Sequence, residues 1–180
     1  MCVVWCALGA TSRAHTFDEI TLEELARASD VIALGRVVRA DVLPYGPNAL
    51  PGIHTRVELA VDEWLVTDGE AAPTVAFWVH GGRLGDRMRV VTGQARFVVG
   101  EEALVFLFRN EAGALWPAGM ERGKWRIERG DAAGEPGGDP PLRLIGEPVP
   151  TASAPVVTGL GERLGLDELR ARVATARRGS

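Results

Sequence analysis

Apolar and polar positions along this chain change period several times, and each change marks an element. Thr21 and Glu24 stand three apart at the start of an apolar-periodic stretch, in the arrangement of a capping box. The Thr21 hydroxyl accepts from the amide three residues on, and the Glu24 carboxylate accepts from the amide of Thr21. A short helix over roughly 22–28 is therefore predicted. From Val31 to Arg39 the residues become β-branched and half alternating, which predicts a strand. Three prolines and two glycines between Pro44 and Gly52 predict a loop.

The clearest alternation runs from Thr55 to Leu65. It places Val57, Leu59, Val61 and Leu65 on one face and Glu58, Ala60, Asp62 and Trp64 on the other. Asp68 and Gly69 mark a turn before a strand from Thr74 to His80, whose inward set is Val75, Phe77 and Val79. Gly81, Gly82 and Gly85 break that strand, and short strand candidates follow at 88–91 and 97–99. Ala103 to Phe108 differs in kind, being apolar at both parities. Such a strand is covered on both faces, so something must lie over the outside of the sheet.

Strand candidates at 114–118 and 124–128 come next, then a Gly/Pro/Asp-rich excursion over 130–141, a short strand at 142–145 and an irregular stretch over 148–155. Leu166, Leu169 and Val173 recur at helical spacing, and Leu160 and Leu164 extend the stripe backwards. A helix over 160–178 is predicted, with Arg170, Arg172, Arg177 and Arg178 toward the negative end of its dipole. This helix is a candidate cover for the outer face.

Composition narrows the picture. A chain of 180 residues with 46% apolar and 24% charged residues suits one folded domain that needs no metal or disulfide staple. The net charge of −4, with both signs interspersed, excludes the basic stripe of a general nucleic-acid binder and a polybasic membrane patch. No segment approaches the ~20 apolar residues of a spanning helix. Met1 to Ala10 is largely apolar and Ala14 closes the stretch, the pattern of a signal-peptide-like leader over 1–14. Export to a periplasmic or extracellular space is expected. Cys2 and Cys6 both fall in that leader, so the mature chain would have neither a disulfide nor a thiol nucleophile. Trp5 is too large for the small residue that precedes an acylated cysteine, so no lipid anchor is expected at Cys6.

No recognisable catalytic, metal-binding or cofactor constellation is present. The four serines (Ser12, Ser29, Ser153 and Ser180) include none in a nucleophile elbow. The histidines His15, His54 and His80 have no ligand spacing, although two of them could converge in space from loops. The stretch from His80 to Gly82 reads as a strand end and glycine turn. Trp78, His80, Trp116 and Trp125 are the candidate binding residues. Trp64 and Trp78 lie at outward parity, and Trp116 and Trp125 sit near strand ends, where aromatic rings can form a stacking platform for single-stranded nucleic acid or a glycan. The doubly apolar strand at 103–108 favours the other reading, in which packed elements cover them.

The order of motifs is familiar. The stretches 29–38 and 55–65, a strand ending at Gly81 and Gly82, then 97–107 and 123–127, together resemble a group of uncharacterised exported bacterial proteins. More remotely, they are similar to netrin-type modules and the tissue inhibitors of metalloproteinases. The resemblance implies a mainly β domain over 15–128, with a five-stranded OB-like barrel and flanking N- and C-terminal helices. The inhibitors' N-terminal Cys-x-Cys and its supporting disulfides are absent from the mature chain. The barrel therefore carries over without the inhibitory mechanism. The expected function is that of a non-enzymatic exported binding domain for another exported protein, such as a peptidase. Loops 44–54, 80–87 and 110–119 would make the contacts. A nucleic-acid- or glycan-binding barrel is the alternative, and a hydrolase with a spatially assembled site stands third.

Overall fold

The computed structural model describes residues 20–128 and 156–179. Its elements are α1 (Leu22–Arg27), β1 (Val31–Tyr45), β2 (Pro51–Val66), β3 (Thr74–His80), β4 (Gly82–Leu84), β5 (Arg87–Arg89), β6 (Glu102–Arg109), β7 (Leu115–Pro117), β8 (Lys124–Glu128), β9 (Val156–Gly159), β10 (Glu162–Gly165) and α2 (Leu166–Arg178). The main sheet is antiparallel in the order β10-β9-β8-β6-β1-β2-β3, with β7 also paired to β6, while β4 and β5 form a separate hairpin. The leader over 1–14, the excursion over 130–141, the strand at 142–145 and the irregular stretch over 148–155 lie outside the described residues.

The expected closed five-stranded barrel does not form: the sheet is open, and β3 and β7 share no ladder. Physically, β7 has little with which to close it. It is three residues long, its ladder partner is β6, and Pro117 has no N–H to donate.

β6 is the double-sided strand that its composition demanded. Leu104 and Phe106 enter an outer core with Leu22, Leu25, Ile32, Trp125, Val157, Leu164, Leu169 and Val173. Ala103, Val105 and Leu107 enter an inner core with Val31, Val57, Leu59, Val75, Phe77 and Val79. The outer core is closed by both helices. α1 begins with the predicted capping box, the Glu24 amide donating to the Thr21 hydroxyl at 3.2 Å and the Thr21 amide to Glu24 at 2.8 Å.

α2 buries Leu166, Leu169, Val173 and Ala176, as its spacing predicted. It starts six residues later than expected, because Leu160 and Leu164 belong to the β9–β10 hairpin. Leu160 and Gly161 both adopt positive φ (52° and 75°), a two-residue hairpin turn that no helix accommodates. Two arginines clamp α2 in place: Arg172 reaches Glu23 on α1 at 2.8 Å and Glu162 on β10 at 2.5 Å, and Arg170 reaches Glu63 on β2 at 2.5 Å. The Arg172 hydrogen bond holds the Glu23 carboxyl below its ordinary range.

The long β1–β2 hairpin corrects two sequence expectations. Strand structure continues through Pro44 to Tyr45 and resumes at Pro51, so the loop predicted over 44–52 shrinks to 46–50. The ladder also slips between Leu34 and Gly35 and again between Ile32 and Ala33, leaving Asp62 and Leu65 as the extra residues on β2. A one-residue bulge reverses side-chain parity. Trp64 consequently packs on the inner core and Leu65 on the outer one, opposite to the sides their alternation predicted. Gly35 makes the close approach possible, since a Cβ there would collide with the Ala60 carbonyl oxygen. Between β3 and β6, the only strands are β4 and β5: no strand forms at 97–99, and the candidate at 88–91 is realised as Arg87–Arg89.

Among the described residues Trp125 is the largest fully buried side chain, and it lies against Gly159, where a Cβ would collide with the indole. Trp125→Ala is expected to cost about 3–5 kcal/mol in urea unfolding, in line with other deletions of a buried aromatic. Gly159→Ala should destabilise the domain by displacing the same ring. Near-neutral values for both would mean that the two-sided core does not hold the sheet.

Candidate binding site

Three loops meet at one end of the sheet, and three rings fill the space between them. The β2–β3 register sets His54 directly opposite His80, with ring centroids 5.1 Å apart. Trp116, from β7, stacks on His80 at 4.4 Å and meets His54 edge-on at 5.9 Å. This stack bridges β3 and β7 where no ladder joins them. Asn48 in the β1–β2 turn donates to the Ala112 carbonyl at 3.4 Å, tying the turn to the β6–β7 loop. That loop is itself held by Asn110, whose side chain accepts from the Ala114 amide at 2.8 Å.

His54 is fully buried, and its Nδ1 lies 2.8 Å from the Gly52 carbonyl oxygen. A carbonyl only accepts, so Nδ1 carries a proton and donates to Gly52. Gly46 is packed onto the same imidazole, leaving barely enough room for a Cβ. Nδ1 of His80 and Nε1 of Trp116 are buried without a hydrogen-bond partner among the described residues. Each such group costs about 1–3 kcal/mol.

Beside the rings lies a groove of about 430 Å³. One wall is the β4–β5 hairpin, seated so closely on the β1–β2 hairpin that Gly82 has no room for a side chain against Val42 and Thr55. The Thr55 hydroxyl donates to the Gly81 carbonyl at 2.8 Å and fixes the approach. The opposite wall is the segment 94–98, anchored by Phe97 packed edge-on to Phe77 at 4.9 Å. Lys124 holds this wall from behind, donating to the Arg96 carbonyl and pairing with Glu101 at 2.7 Å. Thr55, His80, Arg83, Arg89, Gln94 and Arg96 supply the polar lining, and Met88 and Val98 stand 66% and 64% exposed at its rim.

Of the candidate residues read from the sequence, His80 and Trp116 come together. Trp78 is half-buried on β3 opposite Arg56, and Trp125 is sealed under the helices in the outer core. Trp116 and Trp125 therefore present no open ring face for stacking. The convergence of two histidines, left open by the sequence, does occur between His54 and His80. The three arginines were missed because they are scattered through an unremarkable charge pattern, and only the packing of the β4–β5 hairpin against the segment 94–98 brings them to one groove.

Among the described residues, no group of three or more His, Cys, Asp or Glu is placed to hold a metal ion, and no helix is long and apolar enough to cross a membrane. Comparison with protein-family models, with curated proteins and with solved structures found no match to this chain.

Burial, then the neighbouring His54 and Arg89, hold His80 below its ordinary value of 6.5. The unfolded chain thus takes up a proton at this position before the folded chain does. The stability His80 contributes is complete above pH 6.5 and is lost as the pH falls from there through the lowered folded value. Its slope is at most about 1.4 kcal/mol per pH unit. Urea unfolding at pH 7.5 and 5.5 should show this loss, and His80→Phe, which keeps a ring on Trp116, should lose less. An equal loss in the variant would show that His80 is not the group responsible.

Proposed function

We propose that this chain is a non-enzymatic binding domain, exported from its cell, that grips another exported protein with the loop end described above. The observation that carries the proposal is the convergence of the segments 44–54, 80–87 and 110–119, with the turns they contain, on the packed rings of His54, His80 and Trp116. Rigidly held loops at the end of a sheet are where folds of this kind place recognition. Apolar side chains stand ready there. Tyr45 and Leu50 flank the β1–β2 turn and are 49% and 44% exposed.

The backbone between them is strained as well. Asn48 and Ala49 have φ of 51° and 60°, and for Ala49 no side-chain hydrogen bond compensates. Such strain concentrates at binding segments. Export follows from the leader-like pattern of residues 1–14. The resemblance over 29–128 to peptidase inhibitors supports a secreted peptidase as the kind of partner, engaged without the inhibitors' Cys-x-Cys device.

A photo-crosslinking residue at Leu50, with one at exposed Ala174 on α2 as control, tests the reading against purified secreted proteins, peptidases included. A saturable, stoichiometric complex is expected at Leu50 alone. Tyr45→Ser combined with Leu50→Asp should weaken it at least about tenfold, as for anchor residues at the centre of an interface. Equal capture at both positions, or an affinity untouched by the double substitution, would remove the loop end from the binding surface.

A further inference from the structure

Charge in this molecule is mostly matched. Arg36 pairs with Glu102, Arg39 with Asp41, Arg109 with Asp68, Arg170 with Glu63 and Arg172 with Glu23. The groove beside β3 departs from that pattern. Arg83, Arg89 and Arg96 line it, all exposed, and its lining contains no Asp or Glu. Among the described residues none of these three guanidiniums has a carboxylate within ion-pair reach. The one side-chain hydrogen bond any of them makes is from Arg83 Nε to the Gly85 carbonyl at 3.3 Å. Arg83 lies along its own hairpin turn and the Arg89 guanidinium lies over Gly52, so three cations without a carboxylate partner among the described residues border the groove, in a chain whose net charge is −4. Guanidinium forks match carboxylates two bonds at a time.

Beside the arginines the lining is mostly apolar, with Val42, Val79, Met88, Val91, Phe97 and Val98. A ligand that satisfies both features alternates carboxylates with apolar side chains. The volume of about 430 Å³ suits a short extended segment and is far too small for a folded domain. Nucleic acid fits less well. Phe97 is packed edge-on against Phe77 and Trp116 is buried, so the groove offers no open ring on which a base could stack.

We propose that the groove docks an extended acidic segment of the partner protein, its carboxylates on Arg83, Arg89 and Arg96 and its apolar side chains against Val79, Met88 and Phe97. The proposal rests on the protein-binding reading above and assigns the chemistry of the part that enters the groove.

Fluorescence anisotropy of short labelled peptides tests it on the full chain. One peptide alternates Glu and Leu, a second alternates Lys and Leu, and a single-stranded oligothymidylate is the third probe. The acidic peptide is expected to bind at least about tenfold more tightly than either of the others, and to weaken as salt screens the arginines. Arg83→Glu, Arg89→Glu and Arg96→Glu together should abolish its binding. Because all three side chains are exposed, the variant should keep the parent's thermal midpoint, and a matched Arg→Gln set should show an intermediate loss.

Equal affinity for the acidic and basic peptides, tighter binding of the oligothymidylate, or indifference to charge reversal would each overturn the assignment. Crosslinking at Leu50 separates the two proposals. A charge-reversed variant that still captures its partner there with full affinity removes the groove from the interface and leaves the loop-end reading standing. Acidic-peptide binding without any capture at Leu50 does the reverse.

Discussion

The double burial of β6 is the constraint from which the rest of the architecture follows. A strand whose successive side chains are all apolar exposes hydrophobic surface on whichever face is left open, so both faces of the sheet must be covered around it. On one side the cover is the sheet itself. β1, β2 and β3 curl so that Val57, Leu59, Val75 and Phe77 close over Val105 and Leu107. On the other side the cover is α1 and α2, packed on Leu104, Phe106 and Trp125. β8, β9 and β10 extend the sheet beneath α2, and Gly159 leaves the space in which the Trp125 indole lies. Arg170 and Arg172 then fasten the helix to β2, α1 and β10. These pairs are half-buried and still reached by water, so each contributes modest energy and they orient a helix that apolar burial already holds.

An open sheet has consequences at its ends. Because β7 is short and ends in Pro117, the seam between β3 and β7 is filled by rings instead of a ladder. His80, Trp116 and His54 pack there, leaving two polar ring nitrogens without partners among the described residues. The same end carries a turn with left-handed residues and the β4–β5 hairpin, which stands off the main sheet and makes one wall of a groove. The outer core lies where the helices close over the sheet, and the ring stack and the groove lie where the sheet fails to close. The two regions share β6, whose first half carries Leu104 into the outer core and whose second half pairs with the strand that bears Trp116.

Much of the fold was legible because its signals are local. The Thr21–Glu24 capping box, the β3 alternation, the doubly apolar run in β6 and the stripe of Leu166, Leu169 and Val173 each depend on spacing within one segment, and each recurs in the structure. The candidate site was less legible. His80 and Trp116 could be singled out one at a time by residue type. That they stack, and that His54 joins them, depends on the β2–β3 register and on a β3–β7 approach without hydrogen bonds, neither of which leaves a mark on local periodicity. The sidedness of Trp64 and Leu65 was misread for a related reason. A bulge adds one residue to one strand, and its position is set by the partner strand.

Residue order by itself determined the class of the domain: mainly β, with a short capped helix before the sheet, an amphipathic helix at the end, and a strand that demands cover on both sides. Tertiary structure alone decided whether the sheet would close, which faces the tryptophans would occupy, and which charges would find partners. The physical reason is the range of the forces involved. Side-chain period and capping act over a few residues, whereas strand register, bulge placement and the grouping of Arg83, Arg89 and Arg96 around one groove are settled by packing between segments far apart in the chain.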